Sequence, residues 1–357
     1  MVGPDAAAPA SPLPEVSAAG RTLRAVPWAV HREILTDTIP AMRSGSWRLR
    51  SWRITGVLER PPTRLVFYLV RYQARGESAT RTLDIVAKIY GDPAGTRTMD
   101  ILRRLRQRGF RPPSRSRVPR PYGYSATRNA LLQERAAGTS WADLLRTRSA
   151  SLLAASSNAA RWLARLQRSG PRIVSKDSLG ELPLLRRCVR ELQSVCPRYA
   201  TRLGRIGDRL LSNLDRGNAR RVPSHGDFHP ENVFVGSGII TVIDFDRAGV
   251  REPAFDVGYA LGQLLAMSYL SLGDLQPGAR AGLEFWGQYE QDRPAPSPWP
   301  RVAVHAARGM LLSLYWEVCA LPGRRTDLVS LWLDLMDTWL RSKEPTTLET
   351  LGDGRSA

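Results

Sequence analysis

The sequence has 357 residues, 43% of them hydrophobic and 24% charged, and 52 Lys and Arg against 33 Asp and Glu give a formal net charge of +19. These figures describe a globular protein of about two domains and exclude a fibrous or low-complexity chain. No apolar run approaches the roughly 18 residues of a membrane helix, Met1–Gly20 lacks the basic start and apolar core of a secretion signal, and the scattered Cys188, Cys196 and Cys319 offer no disulfide framework, so a soluble, cytoplasmic protein is expected.

Residues 1–22 have few bulky apolar groups and read as a disordered tail. A short helix over Trp28–Thr38 ends where Pro40 constrains its neighbour. Three strands are predicted over Trp47–Leu58, Arg64–Gln73 and Arg81–Tyr90, rich in Val, Ile, Tyr, Phe and Trp and separated by Arg60-Pro61-Pro62-Thr63 and by Ala74–Thr80. A helix over Thr96–Arg108 follows, with Met99, Leu102 and Leu105 on one face and Pro112-Pro113 beyond its end. Asn129–Glu134 adds a further strand.

Charge is concentrated in this first third. From Arg21 to Arg128 there are 23 Lys and Arg against 7 Asp and Glu, and the densest stretch holds Arg103, Arg104, Arg106, Arg108, Arg111, Arg115, Arg117 and Arg120. Two readings stand: a solvated face, or a patch that attracts an acidic peptide or protein through its summed field. Aromatics are not interleaved with these arginines and no nucleic-acid module motif is present, so nucleic acid is not the expected partner.

From Ser140 the pattern turns helical, at Trp141–Arg146, Leu152–Arg168, Leu182–Cys196, Arg202–Leu214, Ala254–Leu270, Arg301–Ala320 and Thr326–Arg341. One extended island interrupts it, Asn232–Phe245, which reads as a β-hairpin turned by Gly236-Ser237-Gly238. The expected fold is therefore α+β and two-lobed. Its parts are a tail (1–22), a basic small lobe with an antiparallel sheet and a helix (23–132), a hinge (133–138), a helical large lobe with the embedded hairpin (139–343), and a flexible C-terminal tail (344–357).

The most informative stretch is Ser224-His225-Gly226-Asp227-Phe228-His229-Pro230-Glu231-Asn232-Val233, which leads into the hairpin, and the hairpin ends at Ile243-Asp244-Phe245-Asp246. A hairpin brings its two ends together, so Asn232 and Asp244 can aim oxygens at one spot. Two hard oxygen ligands with open positions suit Mg²⁺, which relies on few protein ligands plus substrate phosphates. Asp227 lies beside them and can accept a proton from a hydroxyl. Each residue taken singly is also an ordinary turn former; the ordered set is what points to chemistry. A second signal is Lys88, one of only three lysines, in Asp84-Ile85-Val86-Ala87-Lys88-Ile89-Tyr90. Alternation puts Val86 and Lys88 on one face of the strand, where an ammonium suits phosphate oxygens as a point charge. Alternatively it is a lysine on a solvated edge.

Together these motifs resemble the protein-kinase-like phosphotransferases of the aminoglycoside phosphotransferase and choline kinase group, which carry H-G-D-x-H-x-x-N followed by an I-D-[FW] strand end. The resemblance covers roughly Trp47–Arg341. It implies a protein-kinase-like fold and Mg·ATP-dependent transfer of a γ-phosphoryl group to an alcohol. By that likeness Asp227 is the catalytic base, Asn232 and Asp244 hold Mg²⁺, and Lys88 binds the α- and β-phosphates. Val86, Phe234 and Ile243 sandwich adenine, and the hinge Gln133-Glu134-Arg135-Ala136 reads the base. Asp256, in Pro253-Ala254-Phe255-Asp256, supports the catalytic loop, with His225 and His229 as structural hydrogen-bonders.

The chain departs from the pattern in places. The loop Gly56–Thr63 has one glycine, and no glutamate follows Lys88 in the next helix, which leaves Asp100 as its expected ion-pair partner. Glu231 stands where the group often has Gly. Gly226 replaces the arginine of regulated protein kinases, and the short Asp244–Asp256 interval leaves no room for a long activation loop. The acceptor implied is either Ser/Thr of a peptide, such as a ribosomally made natural-product precursor, or a hydroxylated small molecule or antibiotic. The rival reading is a non-catalytic pseudokinase that binds nucleotide or a partner.

Overall fold

The computed structural model describes residues 28–60, 63–170, 181–215 and 221–353. The tail 1–22 and the turn residues Pro61 and Pro62 lie outside the described residues. The chain divides into two compact units.

The first unit takes in residues 28–96 and 121–135. Helices α1 (Trp28–Thr38) and α2 (Pro40–Arg43) precede strands β1 (Trp47–Arg60), β2 (Thr63–Ala74) and β3 (Thr80–Ile89), and after an excursion into the second unit come β5 (Pro121–Ser125) and β6 (Ala130–Glu134). They form one antiparallel sheet in the order β1-β2-β3-β6-β5. Period-2 alternation sorts its side chains. Val66, Tyr68, Val70 and Tyr72 of β2, Ile85 and Ala87 of β3, and Ala130 and Leu132 of β6 share a buried core with Ile34, Leu35, Ile39 and Met42 of the helices. The opposite face carries Phe67, Val86 and Gln133, which are paired in register, beside Leu65, Lys88 and Leu131.

The second unit takes in residues 97–120, 136–170, 181–215 and 221–353. It begins inside α3 (Gly95–Gln107) and includes β4 (Ser116–Arg117), β7 (Thr139–Ser140), α4 (Trp141–Arg146), α5 (Leu152–Arg168), α6 (Leu182–Val195) and α7 (Ala200–Asp215). Next come β8 (Val222–Ser224), β9 (Val233–Gly236), β10 (Ile239–Val242), β11 (Gly249–Arg251), α8 (Ala254–Leu272), α9 (Gln276–Asp292), α10 (Trp299–Tyr315), α11 (Val329–Arg341) and α12 (Thr346–Gly352). The hairpin β9–β10 has the register Val233↔Val242 to Gly236↔Ile239 and is the centre of a four-stranded sheet, β4-β10-β9-β7, while β8 pairs with β11. Beneath the hairpin lies an aromatic core: Trp162 stacks on Phe228 at 5.8 Å, Phe245 meets the His225 ring at 4.7 Å, and Trp141 meets Phe285 at 5.6 Å. Such pairs contribute beyond the area they bury.

Four elements differ from what the sequence predicts. α3 was placed in the small lobe, but from Arg97 onward it belongs with the second unit. α9 was not foreseen, because Pro277, Gly278, Gly282 and Gly287 dilute its helical signal. Tertiary packing overrides that propensity, with Phe285 and Tyr289 fully buried. The tail expected from 344 instead carries α12, anchored by buried Leu348 and Leu351. The helix expected over Arg301–Ala320 is α10 followed by a π-helical turn over Trp316–Ala320. Among the described residues no helix is long and apolar enough to cross a membrane, and the three cysteines are free.

α8 and α10 touch backbone to backbone. A Cβ at Gly258 would collide with the Val302 carbonyl, and one at Gly262 with the Ala306 carbonyl. Just before α8, Glu252 ties this pair together, accepting from Arg301 Nε at 3.0 Å and from His305 Nε2 at 2.6 Å. Burial alone would raise the Glu252 pKa, but the hydrogen bonds from His305 and Arg301 outweigh it and bring it from 4.5 to about 2. A depressed carboxylate adds stability that is present above its unfolded pKa and is lost as pH falls through its folded one. Glu252→Gln should therefore lower Tm at pH 7 and flatten the loss of stability between about pH 4.5 and about pH 2, as urea titrations across that window would measure.

Candidate active site

The site is built on the loop between β8 and β9. Its foundation is Asp256, in the first turn of α8 and fully buried. Its Oδ2 accepts from the His225 backbone N–H at 2.8 Å and its Oδ1 from that of Gly226 at 2.9 Å. Removing this carboxylate strands two buried donors, at roughly 1–3 kcal/mol each. Gly226 has φ +81°, and a Cβ there would strike the Arg247 carbonyl, so no other residue fits this turn. The side chain that regulated protein kinases carry at this position has no space here. Arg251 braces the same corner, donating to the Arg247 carbonyl at 2.9 Å and to Ser224 Oγ at 3.3 Å.

His225 joins the loop to the hairpin. Its partners assign the tautomer: Nε2–H donates to the Ile243 carbonyl at 2.8 Å, and Nδ1 accepts the Asp227 N–H at 3.3 Å. Burial holds its pKa below the ordinary value, so the ring is neutral at physiological pH. The Ile243 N–H in turn donates to the Asn232 carbonyl at 3.0 Å. Asn232 and Asp244 are therefore adjacent across the end of the hairpin, and Asp244 turns out of the strand with φ +64°. Asn232 directs its amide NH₂ to the Asp227 carbonyl and to His229 Nε2, both at 3.0 Å, which leaves its side-chain oxygen for a ligand. Two hard oxygens at the mouth of a loop fit a divalent cation that takes its remaining donors from phosphates. Among the described residues no cluster of three or more His, Cys, Asp or Glu forms a self-sufficient metal site.

Asp227 is half-buried beside them. Desolvation pushes its carboxyl up, but the Coulombic pull of His229 and Arg247 and a hydrogen bond from Tyr259 outweigh it and hold the pKa below the ordinary value. The group is thus ionised and ready to accept a proton. Tyr259 was not singled out from the sequence. Burial and the nearby Asp227 charge push its hydroxyl up, so it remains a proton donor. Its ring lies 5.1 Å from the Arg308 guanidinium, which is buried and bonded to Glu181 at 2.6 Å. The available signal was its position three residues after Asp256, one helical turn along the same face. Arg247, exposed three residues after Asp244, is a second residue the motifs did not mark.

The other expected residues fall as follows. Lys88 and Val86 are both buried on the face of β3 opposite the helix-covered core, and the ammonium lies 5.5 Å from the Tyr90 ring centroid. Gln133 and Glu134 end β6, and the chain passes between units after Arg135, so Ala136 already belongs to the second. Phe234 pairs with Thr241 on the half-buried face of the hairpin, and Ile243 is likewise half-buried. Asp100 stands on the exposed side of α3, ion-paired with Arg103 at 3.8 Å, rather than in a buried supporting position.

An antiparallel sheet unit followed by a helical unit, with a loop and hairpin that gather Asp227, Asn232 and Asp244, defines a kinase-like phosphotransferase architecture. The sequence matches the phosphotransferase enzyme family over residues 69–299, and the chain belongs to that family. Among solved structures it is similar to a choline/ethanolamine kinase family protein from Mesorhizobium loti (TM-score 0.56, 15% identity, covering 91% of this chain and 99% of that one). It is also similar to a spectinomycin phosphotransferase in complex with ADP and spectinomycin (0.54, 10%, 92% and 99%). A third similar structure is an amicoumacin kinase in complex with AMP-PNP, Ca²⁺ and Ami (0.54, 16%, 89% and 99%). A comparison with curated protein sequences gives no match.

Because the Tyr259 hydroxyl bonds the ionised form of Asp227, Tyr259→Phe should raise the Asp227 pKa. Carboxyl ¹³C NMR titration of the purified protein would show this, and an unmoved titration would remove Tyr259 from the site.

Proposed function

We propose that this phosphotransferase uses Mg·ATP to phosphorylate the hydroxyl of a non-polycationic small molecule. The observation that carries the reading is the loop geometry, in which the Asn232 amide bonds the Asp227 carbonyl and Ile243, the residue before Asp244, bonds both Asn232 and His225, on a frame fixed by Asp256. The nucleotide complexes of the spectinomycin phosphotransferase and the amicoumacin kinase support the cofactor. When bound, Mg·ATP supplies the transferable phosphoryl group and neutralises charge on its oxygens.

In this reading the residues divide the work. Asp227 accepts the proton of the acceptor hydroxyl, and Tyr259 orients its carboxylate. Asn232 and Asp244 hold the cation, and Lys88 binds the α- and β-phosphates as a point charge. Val86, Phe234 and Ile243 offer apolar contact to adenine, and 133–136 offers backbone groups to its edge. His225, His229 and Asp256 keep the loop in place.

The charge around the loop bears on the acceptor. Glu231, the one carboxylate of the loop besides Asp227, is engaged by Arg146 at 2.7 Å, and Asp143 by the same guanidinium at 2.9 Å. These two acids are paired within the fold, and the chain carries +19 overall, which weakens the pull of this region on a polycation.

A second reading is favoured by one observation. Arg103, Arg104, Arg108, Arg111, Arg115 and Arg120 are exposed along one segment whose only acid is Asp100, a surface suited to an acidic peptide or partner protein. A pseudokinase remains the rival that a rate measurement separates.

Asp227→Asn should retain nucleotide binding by calorimetry while phosphoryl transfer falls by about 10²–10⁴, the usual contribution of a general base; an unchanged rate would remove Asp227 from the chemistry. For the surface, Arg103→Ala/Arg104→Ala/Arg108→Ala should weaken and flatten the salt dependence of binding to an acidic peptide and leave small-molecule turnover intact.

A further inference from the structure

Asp244 is a non-glycine residue in the left-handed region, with φ +64°, a conformation that persists only where the surroundings over-determine it. Upstream, the restraint comes from the loop and hairpin, through the bonds of Ile243 to Asn232 and His225. Downstream it comes from a distant part of the chain. Thr98 Oγ1 donates to Asp246 Oδ1 at 2.8 Å, and Arg97 Nη1 donates to the Asp246 carbonyl at 3.1 Å. The second terminal nitrogen of Arg97 reaches the Ala248 carbonyl. Thr98 is buried. Its hydroxyl, in the first turn of a 13-residue helix, is directed at the carboxylate of another segment. That first turn contains no acidic residue of its own, so Asp246 provides the anion that the positive end of the helix favours. The loop and the helix therefore stabilise each other.

We propose that Arg97 and Thr98 are positioning residues that hold the 244–248 loop in its cation-binding conformation, so that the seating of α3 and the placement of the Asp244 carboxylate form a single equilibrium. This rests on the reading of Asp244 as a cation ligand. No glutamate follows Lys88 in α3, and the Thr98–Asp246 contact seats the helix against the loop.

Two measurements on the full chain test this. The first is hydrogen–deuterium exchange of the ligand-free protein over residues 243–249, comparing wild type with Thr98→Val and with Arg97→Gln/Thr98→Val. The second is a Mn²⁺ titration followed by electron paramagnetic resonance, in the presence of a non-hydrolysable ATP analogue. Expected are faster exchange confined to that loop and a rise of about 10–100-fold in the Mn²⁺ Kd, the usual effect of losing an outer-shell partner, with rescue by Thr98→Ser. Unchanged exchange, or a loop that loosens while Mn²⁺ affinity stays constant, would overturn the proposal. A wild-type protein that binds no Mn²⁺ with nucleotide would overturn the cation reading, and the exchange data would still decide whether the clamp exists.

Discussion

One buried carboxylate sets the geometry of the whole site. Asp256 offers both oxygens to consecutive backbone N–H groups of the loop between β8 and β9, and those groups have no other route to satisfaction in a dry interior. The bonds fix Gly226 in its left-handed turn against the Arg247 carbonyl. That turn delivers the Asp227 N–H to His225, and His225 passes the constraint to the hairpin through Ile243. Asp227, Asn232, Ile243 and the loop are thus one connected object rather than neighbours by chance.

This connectivity explains what could be read from the sequence. Asp227, Asn232 and Asp244 were legible because their relation is local: a short loop enters a hairpin and the hairpin returns. Lys88 and Val86 were legible because alternation along a strand fixes faces. The three main strands and most helices followed from periodicity alone. Tyr259 was hidden because its partnership with Asp227 depends on how α8 packs. α9 was hidden because its glycines lower helical propensity, and the packing that compensates lies in other elements. α3 was misplaced because its allegiance is decided by hydrogen bonds from Arg97 and Thr98 to a loop about 150 residues away, which no window along the chain contains.

Family membership and site geometry answer different questions. The match over 69–299 establishes a member of the phosphotransferase family, and the similar structures establish its fold. The acceptor depends on this chain's own surface, where Glu231 of the loop and its neighbour Asp143 are already paired with Arg146.

The contact between α8 and α10 has a further consequence. With Gly258 and Gly262 pressed on the Val302 and Ala306 carbonyls, no side chain is interposed at these two points to absorb error, so Asp256 and Tyr259 are indexed to α10 through main-chain contact. Mutational tolerance should therefore be sharply uneven along α8. Its outward positions can drift freely, whereas the two glycines admit almost no neighbour in sequence space, and diversity introduced to retune this enzyme belongs elsewhere.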